Sequence, residues 1–226
     1  MKWKLSDSDA FTFVEAQLDK GEFIKLERGS FVYHNGLIEL KAAISGGNLM
    51  KGLGRSLLSK EKFFTTQATS VENGAIVGLS SPGIGNVCIL EIDENQYSIA
   101  SGSFLACTSE VDYEVQRQSL GKAVFAGTGG LFILKTKGVG QMVINAFGEI
   151  KEIEINEGDN LVVNTGHIVG WEHTVDCKFE IASGFIGFKS GEGVVARFAG
   201  KGKVLIQSKD METFGKTMSQ YIQWKT

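Results

Sequence analysis

Short β-branched runs bounded by Gly, Asn or Asp dominate the hydrophobic pattern of the chain. Such runs predict strands, and three of the clearest lie at residues 141–146, 161–164 and 203–207. Between residues 150 and 155, isoleucine alternates with glutamate as in a half-buried strand, although Ile150 is out of phase and indicates a bulge or a turn. Most of the chain is therefore predicted to be strand.

Helical periodicity is confined to three segments. Residues 49–58 and 118–125 each fit a short helix. In the C-terminal segment, apolar side chains recur at spacings of three and four after Ser208 and Asp210, which are candidate N-caps. This apolar stripe consists of Met211, Phe214, Met218, Tyr221 and Ile222. We expect residues 210–226 to form a helical lid docked through Phe214, Met218 and Ile222; the alternatives are an oligomer contact and a membrane-surface anchor.

An internal repeat organises the strands. The three occurrences of its first motif are Gly29-Ser30-Phe31-Val32, Gly102-Ser103-Phe104-Leu105 and Gly166-His167-Ile168-Val169. They lie 73 and then 64 residues apart, and an acidic, β-branched strand follows each of them. Each unit closes with an apolar strand, a glycine-containing turn and a second apolar strand, and the first unit is the most diverged. In the third unit this hairpin is expected to begin at Arg197-Phe198, with Phe198 buried and Gly200 and Gly202 at its turn.

The repeat predicts an all-β single domain over residues 1–226. Its three degenerate β modules are residues 11–82, 83–146 and 147–209, followed by a short helical segment at 210–226. Because a sheet of a few strands cannot bury its apolar face alone, we expect the modules to pack against one another about a pseudo-threefold axis. The three first glycines of the motifs should then be equivalent, and Phe31, Phe104 and Ile168 should all point inward.

Composition and charge narrow the possible partners and compartment. The chain has 29 Gly and one Pro, as expected for many tight turns between short strands. A formal net charge of -3 argues against a nucleic-acid-binding surface. No apolar run is long enough for a transmembrane segment, the first residues do not resemble a signal peptide, and three widely spaced Cys suggest reduced thiols. We therefore expect a cytoplasmic protein.

No motif for metal or nucleotide chemistry is complete. On a continuous strand, His167 and His173 would lie about 20 Å apart, which excludes a shared metal ion unless the strand folds back. The glycine-rich segment 127–130 precedes a strand-like run and lacks the Lys-Ser/Thr pair of a phosphate-binding loop. No metal, cofactor or catalytic residue is therefore predicted. A basic cluster between Lys51 and Lys62 is either a solvated face or a weak contact with anionic lipid or nucleic acid.

One local group has the composition of a ligand site. Trp171, Glu172 and His173 are consecutive, and on a regular strand Trp171 would share a face with Val169 and the two nearby histidines. The alternative interpretation is that Trp171 packs in the core with the other residues at its rim. Together with Glu192, the three consecutive residues are the candidate ligand-binding set.

Motifs spread over nearly the whole chain resemble those of a known family. They include Ser81-Pro82-Gly83, Gly127-Thr128-Gly129-Gly130-Leu131-Phe132, Ala146-Phe147-Gly148-Glu149-Ile150, Glu157-Gly158-Asp159 and Arg197-Phe198-Ala199-Gly200-Lys201-Gly202. In order and spacing they are similar to the bacterial and archaeal branch of the altered inheritance of mitochondria protein 24 family, a domain of unknown function. The resemblance implies a fold like that of the tryptophan RNA-binding attenuation protein (the double-stranded β-helix type), triplicated in one chain. It carries no catalytic residues, and it links mitochondrial relatives to inner-membrane organisation.

Two functional hypotheses follow. The first is a non-enzymatic homo-oligomeric scaffold or interaction protein, with peripheral membrane contact possible and no nucleic-acid partner. The second is a binder of an unknown small molecule, or an enzyme, with a pocket between β modules.

Overall fold

The computed structural model of the protein describes residues 1–8, 10–45, 63–118, 131–182 and 194–222. The segment predicted as helix at 49–58, the basic cluster, most of 118–125, the glycine-rich residues 127–130 and Glu192 lie outside the described residues.

Strands account for nearly all the regular structure, as predicted. In chain order the described strands are β1 (Lys2–Leu5), β2 (Phe13–Leu18), β3 (Phe23–Glu27), β4 (Phe31–His34), β5 (Ile38–Ser45), β6 (Phe63–Ser70), β7 (Ala75–Ser80), β8 (Val87–Ile92), β9 (Tyr97–Ala100), β10 (Phe104–Thr108), β11 (Val111–Gln118), β12 (Leu131–Gly138), β13 (Gly140–Asn145), β14 (Ile150–Ile155), β15 (Leu161–Asn164), β16 (Ile168–Glu172), β17 (Val175–Ile181), β18 (Val194–Gly200) and β19 (Gly202–Gln207). A nine-residue helix, α1 (Met211–Ser219), follows them.

The described strands form four antiparallel sheets. Their strand orders are β1-β2-β7-β4, β5-β6-β3-β10-β13-β8, β11-β12-β9-β16-β19-β14 and β15-β18-β17. In each six-stranded sheet, three strands come from one predicted repeat and three from the next. Consecutive repeats are thus joined edge to edge, through β3–β10 and through β9–β16.

The same irregularity recurs in three strands. A register shift occurs just after the first residue of β4, of β10 and of β16, where each strand pairs with β7, β13 and β19 respectively. The shifts lie between Phe31 and Tyr33, between Phe104 and Ala106, and between Ile168 and Gly170. A short 3-10 helix precedes β10 and another precedes β16, whereas a turn with Gly29 at φ 87° precedes β4. Phe104 and Ile168 are buried, and Phe31 is half-buried against the core.

The cores also join consecutive repeats. One cluster combines residues of the first repeat with Leu105, Ala106 and Val143 from the second. The next combines second-repeat residues with Val169 and Leu205 from the third. Apolar side chains from both sides of each joint are therefore removed from water together, and this burial stabilises the joint.

The first residues of the three predicted repeats meet side by side. Gly85 forms parallel bridges with Phe11 and with Gly148. A Cβ at Gly85 would collide with the backbone of Ala146 and Gly148, so the close approach requires glycine at this position.

Two local predictions can be compared directly with the structure. The final hairpin has Gly200 and Gly202 at its turn and a fully buried Phe198, as predicted, although its first strand begins at Val194 instead of Arg197. Ile150 marks no bulge, because β14 pairs with β19 without interruption from Ile150 to Ile155.

The C-terminal helix forms but is not a docked lid. Asp210 is its N-cap and accepts hydrogen bonds from the backbone N–H groups of Glu212 and Thr213. The predicted docking through Phe214, Met218 and Ile222 is not observed, since these side chains are 44%, 42% and 48% exposed. Phe214 does meet Phe147 edge-on, with ring centroids 5.1 Å apart. Within the described part of the chain, no helix combines the length and apolarity needed to cross a membrane.

Candidate functional site

Trp171 lies in the core of the third predicted repeat. Its ring meets those of Phe198 and Phe179 edge-on, with centroids 5.5 and 6.4 Å apart. On a regular strand Val169 and Trp171 would share a face. Because of the register shift in β16, Val169 instead packs in a different core cluster from Trp171. Trp171 is therefore engaged in aromatic packing instead of lining an open surface.

Glu172 is buried and acts as a hydrogen-bond acceptor on the other side of the strand. Its Oε2 accepts the backbone N–H of Lys203 at 3.0 Å, and its Oε1 accepts the hydroxyl of Tyr97 at 3.3 Å. Burial, and secondarily the charge of Glu172, raises the pKa of Tyr97 to about 12. The phenol therefore stays protonated at neutral pH and can keep donating to the carboxylate.

The bond from Lys203 to Glu172 has a counterpart in each of the other predicted repeats. In each repeat the acceptor is a side chain at the end of the bulged strand (β4, β10 or β16) or in the residue just after it. The donor is a backbone N–H of the strand that pairs with the bulged strand (β7, β13 or β19). The acceptor and donor pairs are Asn35 Oδ1 with Ile76 N at 3.2 Å, Thr108 Oγ1 with Gln141 N at 3.2 Å, and Glu172 Oε2 with Lys203 N at 3.0 Å. Three different residue types perform one structural task, which explains the burial of Glu172 without any ligand.

His173 lies apart from the other candidates. It is exposed in the turn between β16 and β17, where its backbone N–H donates to the carbonyl of Gln96 at 2.8 Å. Partial burial and the nearby charge of Lys135 lower the pKa of its imidazole. The chain thus folds back after Glu172 instead of continuing as one strand. The described candidates do not converge on one pocket.

Metal-binding and nucleophilic chemistry find no support in the described residues. Across these residues, no three His, Cys, Asp or Glu side chains are grouped closely enough to hold a metal ion. Burial raises the pKa of the Cys88 thiol to about 11, and the pKa values of Cys107 and Cys177 to about 12. Because the thiolate is the reactive form, none of the three is activated as a nucleophile.

A cavity of about 510 Å³ lies where the second and third predicted repeats meet the start of α1. The two 3-10 turns at Gly102 and Gly166 border it, and its apolar lining includes Leu131, Phe147, Ile168 and Met211. Its volume is within the range of small-molecule pockets.

Two amide side chains hold the turns at this cavity. Asn145 Nδ2 donates to the carbonyl of Gly102 at 3.3 Å, and Gln207 Nε2 donates to that of Gly166 at 2.8 Å. Gln207 also accepts the backbone N–H of Phe147 through Oε1 at 2.9 Å. In contrast, Oδ1 of Asn145 is buried and accepts no hydrogen bond from the described residues. An unsatisfied buried acceptor is costly, which makes this oxygen the most unusual polar atom at the cavity.

The Asp210 carboxylate lies at the same cavity but is already occupied. Burial by itself would raise its pKa, yet hydrogen bonds from Thr213 and Glu212 outweigh burial and hold the pKa below its usual value. Asp210 also lies so close to Gly166 that a Cβ there would meet the carboxylate. Its role is to cap α1 beside the cavity.

Sequence patterns gave little indication of this cavity. Asn145 and Gln207 each end the second strand of a glycine-turn hairpin, directly after Ile144 and Ile206. The recurrence of an amide at this position in two repeats is the one signal that could have drawn attention to them.

Comparisons with known proteins place these features in a family. A relative 36% identical over 228 residues, an uncharacterised protein of Streptococcus pyogenes serotype M6, covers 98% of this chain and 91% of its own length. The crystal structure of protein SPYM3_0169 from Streptococcus pyogenes superposes with a TM-score of 0.81 at 33% identity, covering 98% of this chain and 99% of that one. The family model described as "Mitochondrial biogenesis AIM24" matches residues 3–209. This chain therefore belongs to the AIM24 family, as the sequence motifs indicated.

Proposed function

We propose that the chain is a non-enzymatic scaffold or interaction protein that assembles with copies of itself. In this proposal it is a single domain of three β modules, residues 11–82, 83–146 and 147–209, in a pseudo-threefold arrangement like the fold of the tryptophan RNA-binding attenuation protein. Among the described strands, the joint between the third and the first module is open. The three register shifts at one position support this arrangement, as do the three hydrogen bonds to Ile76, Gln141 and Lys203.

The observation that carries the proposal is a pair of unpaired sheet edges. β4 ends one sheet and β15 ends another, and neither has a further strand beside it among the described residues. These edges also carry exposed apolar side chains: Val32 is 51%, Tyr33 38% and Val162 46% exposed. Open backbone groups beside apolar side chains favour association with another chain.

Light scattering coupled to size-exclusion chromatography tests this proposal. The expected result at micromolar concentration is a mass that is a multiple of the 24.5 kDa chain. A mass of one chain throughout the micromolar range would contradict self-assembly.

The family's mitochondrial link adds contact with a membrane surface to the proposal. The exposed apolar stripe of α1, with Met211, Phe214 and Met218, supports such contact. Flotation with vesicles containing anionic lipid tests it. Replacing Phe214 and Met218 by Glu should abolish flotation, whereas flotation of neither protein would remove the membrane from the proposal.

The cavity supports a second candidate function, binding of a small molecule. The apolar side chains that line the cavity, with the amide of Asn145 among the polar ones, suit a mostly apolar ligand. A thermal-shift screen against metals, nucleotides, sugars and lipids would identify such a ligand. The shift should disappear in Met211→Trp, which blocks the cavity, and persist in Met218→Trp, a matched change on the same helix outside the cavity lining. Equal shifts in the two variants would place the ligand elsewhere.

A further inference from the structure

The described strands contain two examples of one kind of joint. In the first, β3 pairs with β10, so that Leu26 lies opposite Ala106. In the second, β9 pairs with β16, so that Ile99 lies opposite Gly170. Each six-stranded sheet consists of two half-sheets of three strands, one from each of two consecutive repeats. Both joints are antiparallel, and each connects the innermost strand of one half-sheet, β3 or β9, with the bulged strand of the next, β10 or β16.

The two open edges are the unmatched halves of this joint. β15 lies beside β18 as β3 lies beside β6 and β9 beside β12. The bulged strand β4 lies beside β7 as β10 lies beside β13 and β16 beside β19. Among the described strands, β15 therefore lacks a bulged strand such as the ones that pair with β3 and β9. Likewise, β4 lacks the neighbour that β10 and β16 have on the corresponding side.

Charge distinguishes these two edges from the others. Every other strand that ends a described sheet carries Lys, Arg, Asp or Glu; these strands are β1, β5, β8, β11, β14 and β17. β4 reads Phe-Val-Tyr-His and β15 reads Leu-Val-Val-Asn, with no such residue and no Pro. Charged residues and Pro are the usual protection of an edge against pairing. The sequence thus protects six edges and leaves unprotected the two that match one another.

The internal joints also define the register of the missing one. Equivalent residues of β3, β9 and β15 can be identified from their pairing with β6, β12 and β18. Each lies opposite the residue four positions before the last residue of that neighbouring strand; they are Leu26, Ile99 and Val163. Ala106 and Gly170, which pair with the first two, are the first paired residues after the register shift of their strands. The corresponding residue of β4 is Tyr33.

We propose that β15 of one chain pairs antiparallel with β4 of a second copy, with Val163 opposite Tyr33 and Val162 opposite His34. This inference rests on the proposed self-assembly and specifies its interface. The interface is heterologous, because two different edges meet, so successive copies add head to tail. Such a series ends in a closed ring, or in a filament if the rotation at each joint does not close.

Cysteine cross-linking tests the joint. Residues directly opposite each other in an antiparallel pair have Cα atoms about 4.5 to 5.5 Å apart, within the range that a disulfide spans. A chain with His34→Cys is mixed with a chain with Val162→Cys under mild oxidation. The expected product is a disulfide-linked dimer in the mixture and in neither preparation alone. The unaltered chain measures any background from Cys88, Cys107 and Cys177.

A register control accompanies the cross-link. Asp159→Cys replaces Val162→Cys and moves the thiol three residues, or about 10 Å, along the chain. Linked dimer should be lost in this mixture. Equal cross-linking by the two mixtures would overturn the proposed register.

The outcomes separate this inference from the proposed function. An oligomer by light scattering without the mixed disulfide would overturn the joint and leave the scaffold proposal standing. Disulfide dimers in either single preparation would indicate a two-fold interface instead. A monomeric disulfide in the His34→Cys, Val162→Cys double variant would show that the two edges close within one chain. A single-chain mass for the unaltered protein would overturn both proposals.

A charge on the open edge provides an independent measurement. Val162→Lys adds to β15 the protection that the other edges have, and we expect the oligomer to dissociate to single chains. Val139→Lys is the matched control, because Val139 is also exposed but lies in the turn between β12 and β13. It should leave the mass unchanged. An unchanged mass in Val162→Lys would overturn the joint.

Discussion

Replacing Glu172 by Ala tests whether this residue holds the fold or serves a ligand. In the structure its carboxylate accepts the backbone N–H of Lys203 and the hydroxyl of Tyr97. Alanine removes both acceptors and leaves the two donors without this partner. We therefore expect the protein to become less stable.

The expected loss can be bounded from the two hydrogen bonds. Leaving a buried donor unsatisfied costs about 1 to 3 kcal/mol, and bonds to charged groups lie toward the upper end. Removing the carboxylate also removes the cost of burying its charge, which offsets part of this loss. A net decrease of about 1 to 3 kcal/mol in the free energy of unfolding is expected, equivalent to a fall in Tm of roughly 2 to 12 °C for a chain of this size.

Urea denaturation followed by tryptophan fluorescence measures the change. Glu172→Asn is the informative companion variant, because Asn35 accepts the corresponding N–H in the first predicted repeat. It should lose less stability than the alanine variant. The reasoning is refuted if Glu172→Ala is as stable as the original protein or more stable. A gain in stability would instead be typical of a residue retained for binding.

Three further predictions concern other parts of the molecule. Phe198→Ala should lower the free energy of unfolding by about 3 to 5 kcal/mol, since the side chain is 0% exposed, whereas Phe11→Ala, at a 73% exposed position, should change it by less than about 0.5 kcal/mol; a loss below about 1 kcal/mol in the first would contradict the core packing. Burial raises the pKa of Glu27 to about 7, so the folded state binds this proton more tightly than the unfolded state, and stability should fall as the pH rises from about 4.5 to 7. Glu27→Gln should reduce this fall, and identical pH profiles of Tm for the variant and the original protein would contradict the prediction. Deleting residues 211–226 should change Tm little, because no residue of α1 is buried; a large loss would mean that the helix is docked in solution.

The features that depend on neighbouring residues along the chain could be predicted from the sequence. Strands at 140–145, 161–164 and 202–207 follow from β-branched runs between turn residues. The turn of the final hairpin follows from Gly200, whose φ of 105° is a conformation that other residues rarely adopt. The start of α1 follows from Asp210, because an N-cap acts within its own first turn.

Features that depend on distant partners were decided by the tertiary structure. A regular alternation would place Val169 and Trp171 on the same face of β16. The bulge in β16 inserts a residue against β19, and the two side chains therefore pack in different core clusters. The cavity depends on Asn145 reaching a carbonyl 43 positions away, which no local pattern encodes.

The helix and Glu172 show the same division between local and distant causes. Amphipathic spacing identified the apolar stripe of α1, but periodicity defines only which face is apolar and not what covers it; in the structure that face stays largely exposed. The sequence likewise identified Glu172 as a polar residue within an apolar strand. Only the folded arrangement brings it to the backbone N–H of Lys203, because a hydrogen bond between strands exists only when the register of both is set.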